Sequence, residues 1–255
     1  MKHWKENILA PLAFTAALIL LWELACVLFS LPATVLPTPS AVAKALVQYW
    51  PAIRDNSLQT LMTTLLGFGL AIVFGLVLGV AIGWSKLIYG ALYPVMIAFN
   101  AVPKVAVVPI LIIWFGIGTI PAIFTAFLIS FFPIVVNVAT GLATTEPELQ
   151  DVLRALGASK LDVVRKVGIP RSMPYFFGSL KVAITLAFVG SVVSETIGAN
   201  SGLGKMMLDA QAGFNVELVF AGVAALAVLG IALYAITALV ERRFTGWAFR
   251  AEGIG

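Results

Sequence analysis

The chain alternates long apolar stretches with short polar ones. Six apolar stretches stand out, at residues 8–31, 58–84, 87–115, 121–142, 175–199 and 216–240. A membrane-crossing helix needs roughly 20 mostly apolar residues to pass about 30 Å of hydrocarbon, and each of the six is long enough. Their apolar positions run on without period-two alternation, so a barrel of short alternating strands is not expected. The pattern predicts an all-α, polytopic membrane protein with six transmembrane helices.

The third stretch is too long for one straight crossing. Its 29 residues would extend about 43 Å as a continuous helix. It also contains Pro94, Pro103 and Pro109, each of which removes a backbone donor and is expected to kink the helix. Non-helical backbone at membrane depth is tolerated where protein or a water-filled cavity covers it. Pro103, Lys104 and Pro109 are therefore candidates for lining a pathway. A charge at that depth usually faces a cavity or a partner. Lys104 either meets an anionic substrate or snorkels toward the headgroups. Lys181 lies near the start of its segment, which favours snorkelling.

Between the fourth and fifth stretches lies a polar run, residues 144–174, with five of the sixteen Lys/Arg and four of the twelve Asp/Glu. It reads as two short helices joined at a glycine. Thr145 and Glu148 have capping-box spacing. Leu149, Val152, Leu153 and Leu156 fall on one helical face. Gly157 sits where a left-handed C-cap residue is expected. Ser159 and Asp162 offer a second N-cap, with Leu161, Val164 and Val167 behind it, and Gly168 and Pro170 are expected to stop the second helix.

Asp151-Val152-Leu153, then Gly157, then Val167-Gly168-Ile169-Pro170 resemble the cytoplasmic "EAA" signature of binding-protein-dependent ABC importer permeases. That signature is Glu-Ala-Ala, three residues, Gly, nine residues, Ile-x-Leu-Pro. The spacing matches throughout, Gly and Pro match in identity, and both alanines are replaced by bulkier residues. The resemblance implies a type I importer permease fold and a coupling-helix loop that docks on an ATP-hydrolysing subunit. Carried onto this sequence, the docking residues are Glu148, Asp151, Val152, Arg154, Ala155, Leu156, Gly157, Ala158, Ser159 and Pro170. Taken by themselves, the residues also suit an amphipathic hairpin that only caps a helix bundle.

Three further runs resemble the nitrate/sulfonate/taurine branch of that family: LPATVLPTPSAVAKAL after the first stretch, NAVPKVAVVPILIIWFGIG in the third and SETIGANSGLGKMM after the fifth. In the first run Ser40 would cap a short amphipathic helix bearing Val42, Leu46 and Val47. That helix is either a ledge for a substrate-delivering protein or a plain interfacial helix. In the last run Glu195 is a structural hydrogen-bonding residue or a gate element, and its glycines suggest a turn into a surface helix. Glu23 is the remaining charge inside a stretch. Gly75, Gly79 and Gly83 have the small-xxx-small spacing that lets helices approach closely, within the chain or across a dimer.

Composition narrows the class and charge gives a direction. The chain is 61% hydrophobic and 11% charged, with a mean hydropathy of +1.03, against roughly a quarter charged in soluble domains. With the N-terminus inside, eleven basic residues fall in inside segments and three (Lys44, Arg54, Lys205) in outside ones. The positive-inside rule then puts both termini and the 144–174 loop in the cytoplasm. Net charge +4 thus reads as topology rather than nucleic-acid affinity. The basic N-terminus before the first stretch, with no small-residue cleavage site, reads as a retained helix.

One Cys and one His leave no disulfide framework, metal cluster or Ser/His/Asp set. There is no GxxxxGK[ST] phosphate loop. The expectation is a non-enzymatic chain without its own cofactor, ATP and magnesium being bound by a partner. Residues 1–57 would form the first helix and external loop, 58–241 the permease core and 242–255 a cytoplasmic tail. The resemblance implies a multi-pass protein of the bacterial inner membrane working as a homodimer, with two ATPase subunits inside and a substrate-binding protein outside. Its cargo would be a small solute, an organic or inorganic anion of the nitrate/sulfonate/taurine type or a pyrimidine-type vitamin precursor. The alternative is an ion-coupled secondary transporter, for which only Glu23 and Glu195 are available as intramembrane carboxylates.

Overall fold

The computed structural model describes residues 2–143, 152–153 and 155–246. In chain order the helices are α1 (Lys2–Leu28), α2 (Pro39–Gln48), α3 (Trp50–Gly83), α4 (Lys86–Ala101), α5 (Val108–Phe115), α6 (Thr119–Ala143), α7 (Lys160–Val163), α8 (Ile169–Gly198), α9 (Leu203–Ala212) and α10 (Val216–Thr245). Among the described residues five helices are long and apolar enough to cross a membrane, and the bent pair formed by α4 and the 104–115 segment makes a sixth if counted as one span.

Helices in lipid gain little from burying apolar surface, so close van der Waals approach must hold them together, and small residues permit it. The glycines of α3 do this along α6. A β-carbon at Gly75 would lie 2.7 Å from Ile134, at Gly79 2.7 Å from Val138 and at Gly83 2.8 Å from Leu142. The small-residue repeat is therefore spent on packing within the chain. The order of these contacts makes α3 and α6 parallel. On its other side α6 meets α8 running the opposite way: a β-carbon at Gly141 would lie 2.9 Å from Ser172, and one at Gly190 3.1 Å from Ala126. Ala71, Ile134, Val138, Leu142, Leu180 and Ala183 form the buried centre of this three-helix unit.

The third stretch breaks once, with a bend of 73°. Val102 is extended (ψ 127°), as the residue before a proline prefers. A short 3-10 turn, Lys104–Val107, follows, and Pro109 opens α5, where a missing N–H costs nothing. Pro94 and Pro133 lie inside unbroken helices.

Two other expectations change. The second helix of the polar run does not stop at Gly168 and Pro170. It continues through a π turn (Val164–Gly168) into α8, so that residues 161–198 form one 38-residue element. Within the π turn the Ile169 N–H reaches back five residues to the Val164 carbonyl. At the other site, α2 is capped by Thr38, whose side chain accepts from the Ala41 N–H, and not by Ser40. Ser40 instead donates its N–H and hydroxyl to Glu23 at 3.0 and 2.7 Å, tying α1 to α2.

Candidate functional site

At one end of the bundle lie the end of α6, the polar hairpin and the start of α8. Of the docking residues the resemblance points to, Glu148, Asp151 and Arg154, like Thr145 and Leu149 of the first helix, lie outside the described residues. The described part shows how the turn is made. Gly157 is left-handed (φ +85°), a conformation that costs a residue with a β-carbon roughly 1–2 kcal/mol. The Ala158 N–H reaches the Leu153 carbonyl at 3.0 Å, the long-range bond of a Schellman cap. The next helix opens on a reciprocal box: the Asp162 N–H donates to the Ser159 hydroxyl and the Ser159 N–H to the Asp162 carboxylate, both at 3.2 Å.

This end carries an apolar row that the chain leaves open. Val152, Leu156 and Leu161 are 58, 79 and 60% exposed, while Val163 is buried and anchors the hairpin. Ala155 and Ser159 are also exposed and Ala158 is half-buried. Among the described residues no group within 4 Å would meet a β-carbon at Gly157, so the turn stands clear of the described part of the bundle. Two local caps therefore hold a stiff, outward-facing ridge directly on the end of the 161–198 element.

The candidate pathway residues divide. Pro103, Lys104 and Pro109 lie together at the break after α4. The Lys104 ammonium donates to the Asn100 side-chain and backbone carbonyls at 2.8 and 3.1 Å and lies 5.7 Å from the centre of the Phe132 ring. Asn100, which sequence reasoning passed over, thus fixes where that charge sits. Glu195 is elsewhere, 1% exposed, at the opposite end of α8. Its carboxylate accepts from Thr60 at 2.8 Å, from Thr63 at 3.3 Å and from the Gly204 N–H at 3.1 Å. Thr60, Thr63 and Thr64 recur at i, i+3 and i+4 where α3 passes from its polar start into its apolar stretch. That stripe was the available signal for their shared face.

Lys181 does not snorkel. Its ammonium pairs with Glu241 of α10 at 2.6 Å, with the carboxylate side chain only 9% exposed. A buried partner within reach outweighs extension to the headgroups.

A family model described as binding-protein-dependent transport system inner membrane component matches residues 71–246. A probable ABC transporter permease protein of Haemophilus influenzae is 31% identical over 90% of this chain and 94% of its own length. The formylaminopyrimidine transport permease protein ThiX of Halalkalibacterium halodurans is 30% identical over 94% of this chain and 96% of its own. The taurine transport system permease protein TauC of Escherichia coli is 28% identical over 91 and 87%. Among solved structures, a chain of the MetNI methionine ABC transporter in an inward-facing conformation superposes with a TM-score of 0.67 at 21% identity, covering 78% of this chain and 98% of that one. That last likeness shows the fold.

Proposed function

This chain belongs to the family of binding-protein-dependent transport system inner membrane components, and from that premise we propose how its two ends divide the work of an ATP-driven importer. It is a permease subunit of an ABC transporter, an inner membrane protein and not itself an enzyme. Its family implies ATPase and binding-protein partners.

In our reading the hairpin end faces the cytoplasm and is the ATPase-docking site. Val152, Ala155, Leu156, Ala158 and Ser159 make the contact, Gly157 sets the turn and Pro170 seats the hairpin on α8. Glu148, Asp151 and Arg154 belong to the same surface by sequence position. Two copies of the chain enclose one pathway, with one ATPase under each hairpin, and ATP and magnesium bind there rather than on this chain. Closure of the ATPase pair displaces the hairpins and tilts the helices between inward-open and outward-open states. The observation that carries this is the exposed apolar row on a rigidly capped turn continuous with α8.

The cargo in this reading is a small anion of the nitrate/sulfonate/taurine type, delivered from outside. Relatives named for aliphatic sulfonates and taurine and the Lys104 cation at the break support it. Pro103 and Pro109 hold that break open to the pathway.

The test is whether the purified chain brings with it an ATPase whose turnover responds to a soluble binding protein. Orientation is read separately. Cys26 is the only native cysteine and is buried, so single cysteines report cleanly. Asn200→Cys should react with an impermeant thiol reagent on intact cells and Leu156→Cys should not. Labelling of Leu156→Cys alone would reverse the topology.

A further inference from the structure

The end of the molecule opposite the hairpin is closed by α9, and α9 has no cap of its own. Its N-cap position is Gly202, without a side chain. Its first three amides are taken instead by two other helices. The Gly202 N–H donates to Asn56 of α3 at 2.8 Å, the Leu203 N–H to the Thr60 hydroxyl of α3 at 2.9 Å and the Gly204 N–H to the Glu195 carboxylate of α8 at 3.1 Å. The Thr60 hydroxyl in turn donates a hydrogen bond to the Glu195 carboxylate at 2.8 Å. Behind it, Thr63 bonds the Ser191 hydroxyl.

The fit leaves no slack. A β-carbon at Gly202 (φ +113°) would run into the Glu195 carboxyl, and one at Gly204 would lie 2.5 Å from the Val192 carbonyl oxygen. Thr60, Thr63, Ser191 and Glu195 are all buried. An ordinary helix is capped by a residue beside it in sequence. Here the cap comes from two membrane-crossing helices, so α9 cannot shift without breaking bonds to both.

One of those helices ends in the hairpin. From Leu161 to Gly198 the chain is one 38-residue helical element, about 57 Å long at 1.5 Å per residue. Its first turn carries Leu161, directly after the Gly157 turn that bears Val152 and Leu156, and its last turns carry Glu195. We propose that Glu195, with Thr60 behind it, is a positioning residue that makes α9 the far end of the same lever whose near end is the hairpin. Movement of the hairpin is thereby delivered to α9, and a load on α9 is delivered to the hairpin. The lever's role in transport rests on the importer reading, whereas the lock between α3, α8 and α9 does not.

The two are tested separately. With the chain alone in nanodiscs, hydrogen exchange is followed by mass spectrometry for wild type, Thr60→Val, Glu195→Gln and Glu195→Ala. The lock predicts that amides at the start of α9 exchange on the order of tenfold faster in Thr60→Val, the factor for one lost hydrogen bond, and faster still in Glu195→Ala. Those of α6 should not change. Glu195→Gln keeps an acceptor and should fall between wild type and Glu195→Ala. Unchanged α9 exchange in Thr60→Val overturns the lock, even if the Glu195 variants prove too unstable to purify.

In the complex with its ATPase, Asp209→Cys on the exposed face of α9 is then reacted with a maleimide, with and without MgATP and vanadate. The lever predicts that vanadate trapping changes its reactivity in the Thr60 protein and that the change is lost in Thr60→Val, although the ATPase still co-purifies. An equal response in both, or none in the Thr60 protein, overturns the lever. Failure of the ATPase to co-purify even with wild type would sink the importer reading and leave the exchange result standing.

Discussion

The two ends of this bundle solve opposite problems. At the α9 end the helices are tied to one another, although Val47, Trp50 and Phe214 stay exposed. Val42 and Ala45 of α2, Ile53 of α3, Leu203 and Met206 of α9 and Ala221 of α10 share one buried cluster, and the amides that open α9 are satisfied by other helices. At the hairpin end the caps are local and the apolar side chains point outward. Soluble surfaces seldom leave a row of leucine and valine uncovered on a stiff turn without a use for it. In our reading the α9 end is held by bonds among its own helices, and the hairpin end is where the ATPase docks.

The difference can be broken most severely at the ridge. Leu156→Asp places a charge on a side chain that touches little of its own chain, so the helices should still insert and pack. Transport should nevertheless fall to background in a cellular uptake assay. Uptake near the wild-type level would mean the ridge is not a contact surface.

Truncation at the two ends should separate them next. Met206→Ala removes buried volume from the closed end and is expected to destabilise the fold by about 2–5 kcal/mol. Leu161→Ala at the open end should change it by less than about 0.5 kcal/mol, as surface substitutions do. Thermal unfolding in detergent measures both. Equal losses would erase the distinction between a closed and an open end.

The smallest effect is expected between the ends, at the break. Lys104→Ala should slow uptake several-fold without changing which solutes compete, because few groups in the apolar segments can read a ligand. A changed competition profile would show that the membrane part takes part in selection.

The sequence carried the helices, the broken third stretch and the glycine turn because each rests on local chemistry. Apolar length defines a span, Val102-Pro103 forces extended backbone, and Gly157 is placed by the periodicity before it. The continuity of the hairpin with α8 was not legible. Gly168 and Pro170 are helix-breakers by propensity, and only a π turn with Gly168 packed on Leu142 of α6 carries the helix past them. The partners of Glu195 and Lys181 were hidden for a different reason. Thr60 is 135 residues from Glu195, and Glu241 lies on α10. Neither separation leaves a trace in one sequence beyond the polar stripe of threonines in α3. In the same way Ser40 looked like a cap, and its tie to Glu23 across 17 residues decided otherwise.

The central claim is that the open end is a docking surface set by the turn at Gly157. Gly157→Asp tests it most directly, because the substitution strains a left-handed residue that stands clear of the described part of the bundle. The measurement is the amount of ATPase that co-purifies with the permease, beside the amount of permease in the membrane. The account predicts normal permease with the ATPase largely lost. Wild-type co-purification with Gly157→Asp would contradict it and leave the hairpin as no more than a cap on the helices.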